Sequence, residues 1–209
     1  MKNEKEVREL LITNTIRLIA EGGFEKATTN AITHSGDELP GIKMNEVYIY
    51  RLFGSKENLY GVAFSRLDQE IVDALREYLG KYEDGLVGDT KRKLRELFAK
   101  MWRFVLRNEA RCRCYVRYYY SIYFYKNSNE AHDLLFKGTI DEFTKLFKEE
   151  ADVKSILHSV FTTILDFAVR VYNADLSNSQ DSEDHIFNVV YCMMMTYLKD
   201  DALKAAPIP

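Results

Sequence analysis

The sequence is poor in the residues that interrupt helices or cross-link a chain. Its 209 residues include three prolines, ten glycines and three cysteines. Proline and glycine are the strongest local breaks in regular structure, so their scarcity favours an all-α protein. Three cysteines cannot form a disulfide framework, and Cys112 and Cys114 lack partners at the spacing of a zinc site. We expect no metal and no cofactor, and the two arginine-flanked thiols are either redox-sensitive or ordinary reduced cysteines.

The sequence also lacks a membrane segment and an excess of charge of one sign. No apolar run approaches the ~18 residues of a spanning helix, and no signal-peptide pattern is present, so we expect a soluble, cytoplasmic protein without a membrane partner. The net charge is −3, and residues 1–60 hold eight Lys and Arg against nine Asp and Glu. Charge therefore gives no general argument for nucleic-acid binding, although phosphate contacts need only a few well-placed donors.

Apolar residues recur with helical spacing along most of the chain. Hydrophobic residues make up 46% of the sequence, which is enough to bury a sizeable core. The pattern predicts a short second helix capped by a threonine, and the closing DDALKAAPIP is predicted to be a frayed tail. The longer predicted helices span residues 4–22, 56–79, 90–107, 129–150, 152–172 and 182–199.

Residues 43–60, KMNEVYIYRLFGSKENLY, hold the most informative pattern. A short helix precedes a tight turn, and Ser55 is placed to cap a new helix that opens at Lys56. The short helix carries more aliphatic and aromatic residues than one buried face can use. We assign Ile49 and Phe53 to packing and expect some of the others to face a partner.

This segment resembles the recognition helix and following turn of the TetR family of bacterial transcriptional regulators. The family pattern has a polar helix start, an aliphatic-Tyr pair, and an aromatic residue before the Ser-Lys or Asn-Lys that opens a long helix. Asn45, Ile49-Tyr50, Phe53 and Ser55-Lys56 match those positions. Upstream, LIAEGGFEKATT (18–29) matches the family's first helix and its exit.

The resemblance implies a homodimeric regulator, a repressor that a small-molecule effector releases from a palindromic double-stranded DNA operator. It implies a helix-turn-helix DNA-binding domain over residues 1–56. A larger helical effector-binding and dimerisation domain would follow over residues 57–209, with its last two long helices in the dimer interface. Carried over by position, the DNA-binding residues are Thr28, Thr29, Asn45, Glu46, Tyr48, Tyr50 and Lys56.

One stretch departs from the family pattern. The residues HSGDELPGIK (34–43) make the connection to the recognition helix several residues longer than the pattern. Gly36, Pro40 and Gly41 mark a turn region. Either the second helix extends toward Pro40 or the turn is enlarged, and each alternative changes how the recognition helix is placed on DNA.

A tyrosine-rich segment, CYVRYYYSIYFY, lies at residues 114–125 and holds six tyrosines. It belongs to a basic stretch, from Lys91 to Lys126, that has eleven Lys and Arg against two acids. Three interpretations compete. The segment is a packing element of the core or an interface, the lining of a ligand pocket, or an aromatic and arginine surface for single-stranded nucleic acid.

For the pocket interpretation, the resemblance places the effector inside the C-terminal body. Tyr115, Tyr119 and Tyr123 recur every fourth residue and are predicted to share one helix face. We expect a largely apolar, aromatic-bearing ligand, and an anionic one if Arg117 contacts it. The predicted ligand-binding residues are Trp102, Tyr115, Arg117, Tyr119, Tyr123, Phe143 and Phe161.

Two alternatives come from other functional classes. One is a small all-α enzyme, but the four histidines lie on separate segments and no nucleophile motif, phosphate loop or paired-carboxylate motif is present. We therefore do not expect an enzyme. The other is a helical interaction module without specific DNA binding, which would explain the C-terminal helices but not residues 43–60.

Overall fold

A computed structural model describes residues 2–35, 44–82 and 85–203. Over these residues the chain forms eleven α-helices, and its only extended pairing is an isolated bridge between Phe147 and Leu198. The prediction of an all-α fold is confirmed. The helices are α1 (Lys2–Gly22), α2 (Thr29–His34), α3 (Val47–Phe53), α4 (Lys56–Leu79), α5 (Thr90–Leu106), α6 (Glu109–Tyr119), α7 (Ile122–Asn127), α8 (Asn129–Thr144), α9 (Val153–Tyr172), α10 (Gln180–Met195) and α11 (Asp200–Leu203).

The chain divides into two compact units. Unit 1 comprises Met1–Glu70 and Ala110–Leu134, and unit 2 comprises Ile71–Glu109 and Leu135–Pro209. The predicted domains, residues 1–56 for DNA binding and residues 57–209 for effector binding and dimerisation, stay a prediction. None of the described helices is long and apolar enough to cross a lipid bilayer.

Unit 1 is built on α1, which packs on α2 and α3. Its aliphatic core includes one or more fully buried residues from each of these helices and from α4, and removing each from water contributes roughly 1.5–3 kcal/mol. Phe64 of α4 adds an aromatic layer, because its ring stacks on Tyr115 and Tyr118 at centroid distances of 4.9 and 4.5 Å. The fully buried aliphatic residues of this core are Leu11, Ile12, Ile19, Ile32, Ile49 and Leu59.

Unit 2 is organised around α5 and α9. α9 packs on α5 and α10, and α11 packs on α5. Arg95 joins α5 to α10 by donating to Glu183 at 2.7 Å and to Asp184 at 2.5 Å. The residues of α5 predicted to face inward are all buried, namely Leu94, Leu97, Phe98, Met101, Trp102 and Val105.

The tyrosine-rich segment is not one helix, so the prediction that Tyr115, Tyr119 and Tyr123 share one helix face is wrong. α6 ends at Tyr119, Ser121 is extended, and α7 begins at Ile122. The Ser121 hydroxyl donates to the Tyr118 carbonyl at 2.6 Å, which satisfies a carbonyl at the end of α6. Because the segment has neither proline nor glycine, its periodicity carries no sign of this break.

α8 and α10 both end earlier than predicted, at Thr144 and Met195. Beyond them the two chain segments pair. The Lys148 amide donates to the Tyr197 carbonyl at 2.9 Å, and the Lys199 amide donates to the Leu146 carbonyl at 2.9 Å. Backbone groups that pair in this way cannot also continue a helix. The short helix α11 then occupies part of the tail that was predicted to be frayed.

Candidate nucleic-acid interface

α2 is held in place by buried polar contacts that the sequence analysis missed. The Asn14 side chain, on α1, donates to the Ile32 carbonyl at 2.9 Å. The Tyr60 hydroxyl, on α4, donates to the Ala27 carbonyl at 2.6 Å, just before α2 begins. Burial raises the pKa of Tyr60, so this hydroxyl stays protonated and remains a donor. The position of α2 is therefore fixed at both ends.

The two threonines of the predicted DNA-binding set lie at the start of α2. Thr28 is the N-cap, and its hydroxyl oxygen accepts from the Ala31 amide at 3.1 Å. The prediction of a threonine cap is confirmed. Thr28 is exposed, Thr29 is partly buried, and α2 ends at His34 with Ser35 extended. The helix therefore does not continue through Ser35 toward Pro40, and residues 36–43 of the longer connection lie outside the described residues.

α3 has a buried face and an exposed face. Ile49 is completely buried and Phe53 is 8% exposed, which confirms the packing predicted for both. On the other face, Val47 is 66% and Tyr50 is 54% exposed. The side-chain oxygen of Asn45 accepts from the Val47 amide at 3.0 Å and so caps the first turn. The seven-residue helix α3 thus leaves two large side chains outside the core of unit 1.

Arg51 is a candidate contact residue that the sequence analysis did not include. It is exposed, and its guanidinium carbon lies 4.7 Å from the ring centroid of the half-buried Tyr48. Such a cation–π contact contributes about 0.5–1 kcal/mol at an exposed site. The available signal was its position as the one basic residue in the α3 sequence VYIYRLF, three residues after Tyr48.

The turn between α3 and α4 is closed by backbone and side-chain caps. Gly54 has a φ of 79°, and its amide donates to the Tyr50 carbonyl at 2.9 Å. The Ser55 hydroxyl accepts from the Asn58 amide at 3.0 Å, which confirms the predicted cap of α4. The ammonium of the partly buried Lys56 then lies 5.7 Å from the Tyr60 ring centroid.

The seven predicted DNA-binding residues all lie in unit 1, at exposed or half-buried positions. They occur at the start of α2, just before and on α3, and in the first turn of α4. Glu46 is exposed immediately before α3. Their contact with DNA stays a prediction.

The predicted ligand-binding residues fall into both units. In unit 1, Tyr115 is buried and stacks on the half-buried Tyr119 at 5.9 Å. Tyr123 packs instead on Phe24 and Tyr60, at 4.7 and 5.4 Å. Arg117 is exposed, and its guanidinium donates to a carbonyl of α1 at 3.1 Å. In unit 2, two are buried and one is half-buried, namely Trp102, Phe143 and Phe161.

A buried carboxylate beside Tyr115 was not among the predicted site residues. Asp68, on α4, is 2% exposed and accepts from the Tyr115 hydroxyl at 3.1 Å, and its Oδ2 lies 3.0 Å from His132 Nδ1. Burial raises the pKa of Asp68, while the hydrogen bonds from His132 and Tyr115 oppose that rise. The available signal was an acid at an inward position of α4, four residues after Phe64 and four before Val72.

The two arginine-flanked cysteines are both buried. Burial raises the pKa of the Cys114 thiol to about 12, against the weaker effect of Arg117. Cys114 is therefore an ordinary protonated thiol rather than a reactive thiolate. Among the described residues, no group of three or more His, Cys, Asp or Glu side chains could hold a metal ion.

The fold is similar to that of known transcription regulators. A TetR-family transcription regulator from Marinobacter aquaeolei VT8 matches with a TM-score of 0.74 and 16% identity, over 92% of this chain and 98% of that one. The chain has the TetR-family fold. A TetR-like transcriptional regulator from Rhodococcus sp. RHA1 matches with a TM-score of 0.64 and 17% identity, over 90% of this chain and 96% of that one.

A third structure of this fold contains a bound small molecule. It is described as a transcriptional regulator from Saccharomonospora viridis in complex with choline, and it matches with a TM-score of 0.55 and 17% identity, over 93% of this chain and 99% of that one. No protein-family model and no curated protein matches the chain. The resemblance seen in residues 18–60 is thus confirmed as a likeness of the TetR-family fold across most of the chain.

Proposed function

We propose that the protein is a homodimeric transcription regulator that binds double-stranded DNA through α3. The observation that carries this proposal is the two-sided character of α3. Ile49 and Phe53 fix one face in the core of unit 1, while Val47 and Tyr50 remain more than half exposed on the other. Large apolar side chains at an exposed helix face mark a contact surface. The TetR-family fold supports a DNA duplex as the partner of that surface.

The side chains around α3 suit the chemistry of a duplex. The Arg51 guanidinium, held against the Tyr48 ring, can donate to guanine in the major groove or to a phosphate. Tyr50 can pack against sugar and donate to phosphate, and Lys56 supplies a positive charge at the start of α4. The exposed Glu46 can accept from the amino group of cytosine. Thr28 would add a hydroxyl to the phosphate contacts.

The proposed dimer uses α9 and α10 of each subunit. Met195, at the end of α10, is 43% exposed, and Tyr197, just beyond it, is 44% exposed. On α9, Val160 and Phe161 are only half-buried. Two-fold symmetry would place two copies of α3 about one DNA turn apart, roughly 34–36 Å, so the operator is expected to be an approximate palindrome.

The proposed regulator is a repressor that a small molecule releases from DNA, and it has no catalytic activity. Support for an effector comes from the bound choline in the Saccharomonospora viridis protein of the same fold. Coupling between the two ligands must be reciprocal, so an effector that weakens DNA binding must itself bind less tightly to the DNA complex.

The test is selection of genomic DNA fragments by the purified protein at physiological salt. We expect a few fragments to be enriched, each with an approximate palindrome whose half-sites are about one helical turn apart. An Arg51→Ala variant with an unchanged melting temperature is expected to lose most of the enrichment. Recovery of the same fragments with and without protein would contradict the proposal.

A further inference from the structure

The imidazole of His132 lies inside a cage of aromatic rings in unit 1. Its centroid is 6.2 Å from that of Phe64, 5.6 Å from Tyr119 and 5.4 Å from Phe124. On a further side, Nδ1 lies 3.0 Å from a carboxylate oxygen of Asp68. These residues come from four helices, α4, α6, α7 and α8, and all belong to unit 1.

This combination of groups is suited to an organic cation. The faces of aromatic rings attract ammonium groups, and the attraction is stronger where water is excluded. The Asp68 side chain is 3% exposed and supplies the opposite charge. The His132 side chain is 14% exposed, so the cage that surrounds it has an edge open to solvent. A cation that entered at this edge would meet three rings and a carboxylate.

Burying the Asp68 carboxylate at this position also costs free energy, because a charge must be removed from water. It lies in the apolar stripe of α4 that includes Phe64, Leu67, Ile71 and Val72, all of them buried. A buried carboxylate is ordinarily stabilised by a permanent cation. Asp68 is instead bound by Tyr115 and His132, and neither of these side chains carries a permanent charge. An aliphatic side chain would fill the stripe without the cost of removing a charge from water.

We propose that Asp68 and the rings of Phe64, Tyr119 and Phe124 form a binding site for a small organic ammonium ion, and that the imidazole of His132 occupies this site when the ion is absent. The ammonium group takes the place of Nδ1 beside Asp68, the Tyr115 hydroxyl keeps its hydrogen bond, and His132 turns toward solvent. The inference rests on the proposed regulatory function and specifies the effector class. It replaces the anionic ligand expected from Arg117.

The His132 imidazole, as occupant of the site, lowers the affinity of the site for the ion. The ion must displace the imidazole, so only the fraction of molecules with an open cage can bind, and the apparent dissociation constant rises by the inverse of that fraction. Removing the imidazole is therefore expected to tighten binding of a cation. Removing the carboxylate is expected to weaken it. A purely structural Asp68–His132 pair would produce neither effect.

The test is calorimetric titration of the full chain with tetramethylammonium chloride at one fixed pH, with sodium chloride holding the ionic strength constant. The matched neutral probe is tert-butanol, which has a similar size and no charge. We expect the wild type to bind tetramethylammonium and not tert-butanol at the same concentration. His132→Ala is expected to bind the cation several-fold more tightly, and Asp68→Asn about tenfold or more weakly. Phe124→Leu, which keeps an apolar side chain but removes a ring, is expected to bind several-fold more weakly.

Two controls separate loss of cation binding from loss of folding. Circular dichroism checks that each variant is folded, and His132→Asn, which retains a hydrogen-bond donor for Asp68, replaces His132→Ala if that variant unfolds. Equal binding by wild type and Asp68→Asn, or equal binding of the two probes, would overturn the cation site.

DNA binding without any ligand is measured on the same samples. Loss of the cation site with intact DNA binding would leave the regulator proposal standing. Cation binding without specific DNA binding would overturn the regulator and leave the site.

Discussion

Lys56 is the side chain whose proposed role is easiest to separate from folding. Its ammonium group lies at the start of α4, where the helix dipole slightly disfavours a positive charge. A phosphate contact would explain a lysine at such a position. The contact would be shared by all duplexes, because phosphate carries no sequence information.

We predict that Lys56→Ala weakens binding to all duplexes alike and lowers the slope of log affinity against log salt by about one. Fluorescence anisotropy over a series of salt concentrations measures both quantities. Lys126→Ala, which removes an exposed lysine from α7, is the matched control and is expected to leave the slope unchanged. An unchanged slope in Lys56→Ala would show that this lysine contacts no phosphate.

Asp68 makes a separate prediction about pH. Burial raises its pKa above the usual value, so the fold favours the protonated carboxyl. The contribution of Asp68 to stability is therefore fully present below the pKa of an aspartate in the unfolded chain, about 3.9. It is lost as the pH rises through the raised pKa of Asp68 in the folded protein. The side chains that interact electrostatically with Asp68 are Tyr115, Tyr118, Tyr119 and His132.

We predict that the free energy of unfolding of the wild type, minus that of Asp68→Asn, falls as the pH rises above about 4. Urea denaturation at a series of pH values measures the difference, and the asparagine variant serves as the reference because it cannot titrate. A difference that grows with pH would mean that the hydrogen bonds from Tyr115 and His132 outweigh burial.

At the scale of the helix, α3 ends in a turn closed by Gly54 and Ser55. Gly54 adopts a left-handed φ of 79°, a conformation that costs other residues roughly 1–2 kcal/mol. Its amide closes α3 by donating to the Tyr50 carbonyl, and Ser55 then caps α4. Two adjacent residues therefore close the turn between α3 and α4.

We predict that Gly54→Ala lowers the free energy of unfolding by about 1–2 kcal/mol and also weakens DNA binding. Gly138→Ala is the control. A Cβ at Gly138, on α8, would meet no other heavy atom within 4 Å, so the change is expected to be neutral or to stabilise by up to about 1 kcal/mol. Urea denaturation measures both variants. Equal effects of the two substitutions would contradict a special role for the turn.

The limits of the helices show what the sequence could predict. α4, α5 and α9 begin and end within about a residue of their predicted limits, because each has a long periodic pattern between polar connections. The break between α6 and α7 has no such signal. It places Tyr123 beside Phe24 and Phe124 beside Phe64, and both partners lie far away in the sequence. Contacts with residues far away in the sequence therefore determine the break between α6 and α7, and the local pattern carries no sign of it.

The candidate site residues likewise differ in whether the sequence could predict them. The residues on and around α3 could be named from a local pattern, because the recognition segment is continuous in the chain. The Asp68–His132 pair joins residues 64 positions apart, and each looks alone like an ordinary helix residue. Arg117 shows a contact that the local pattern could not predict, because its guanidinium donates to the Ile19 carbonyl, 98 positions away. The ligand contact expected of Arg117 stays a prediction.

For the whole protein, we predict a stable homodimer formed by α9 and α10. The half-exposed Met195 and Tyr197 leave apolar surface that a second copy would cover. Light scattering at micromolar concentration is expected to give twice the chain mass of 24.4 kDa. Met195→Glu is expected to shift the equilibrium toward the monomer, whereas Leu134→Glu, at an exposed position outside the proposed interface, is not. A monomeric wild type would remove the interface and the half-site spacing with it.

The central claim is specific binding of duplex DNA through α3. The most direct measurement is the dissociation constant for a selected palindromic duplex and for a scrambled duplex of the same composition, at physiological salt. We expect the wild type to prefer the palindrome by at least about 10³-fold. In Tyr50→Ala, with an unchanged melting temperature, the preference is expected to be much smaller. Equal affinity of the wild type for the two duplexes would show that α3 does not bind DNA specifically.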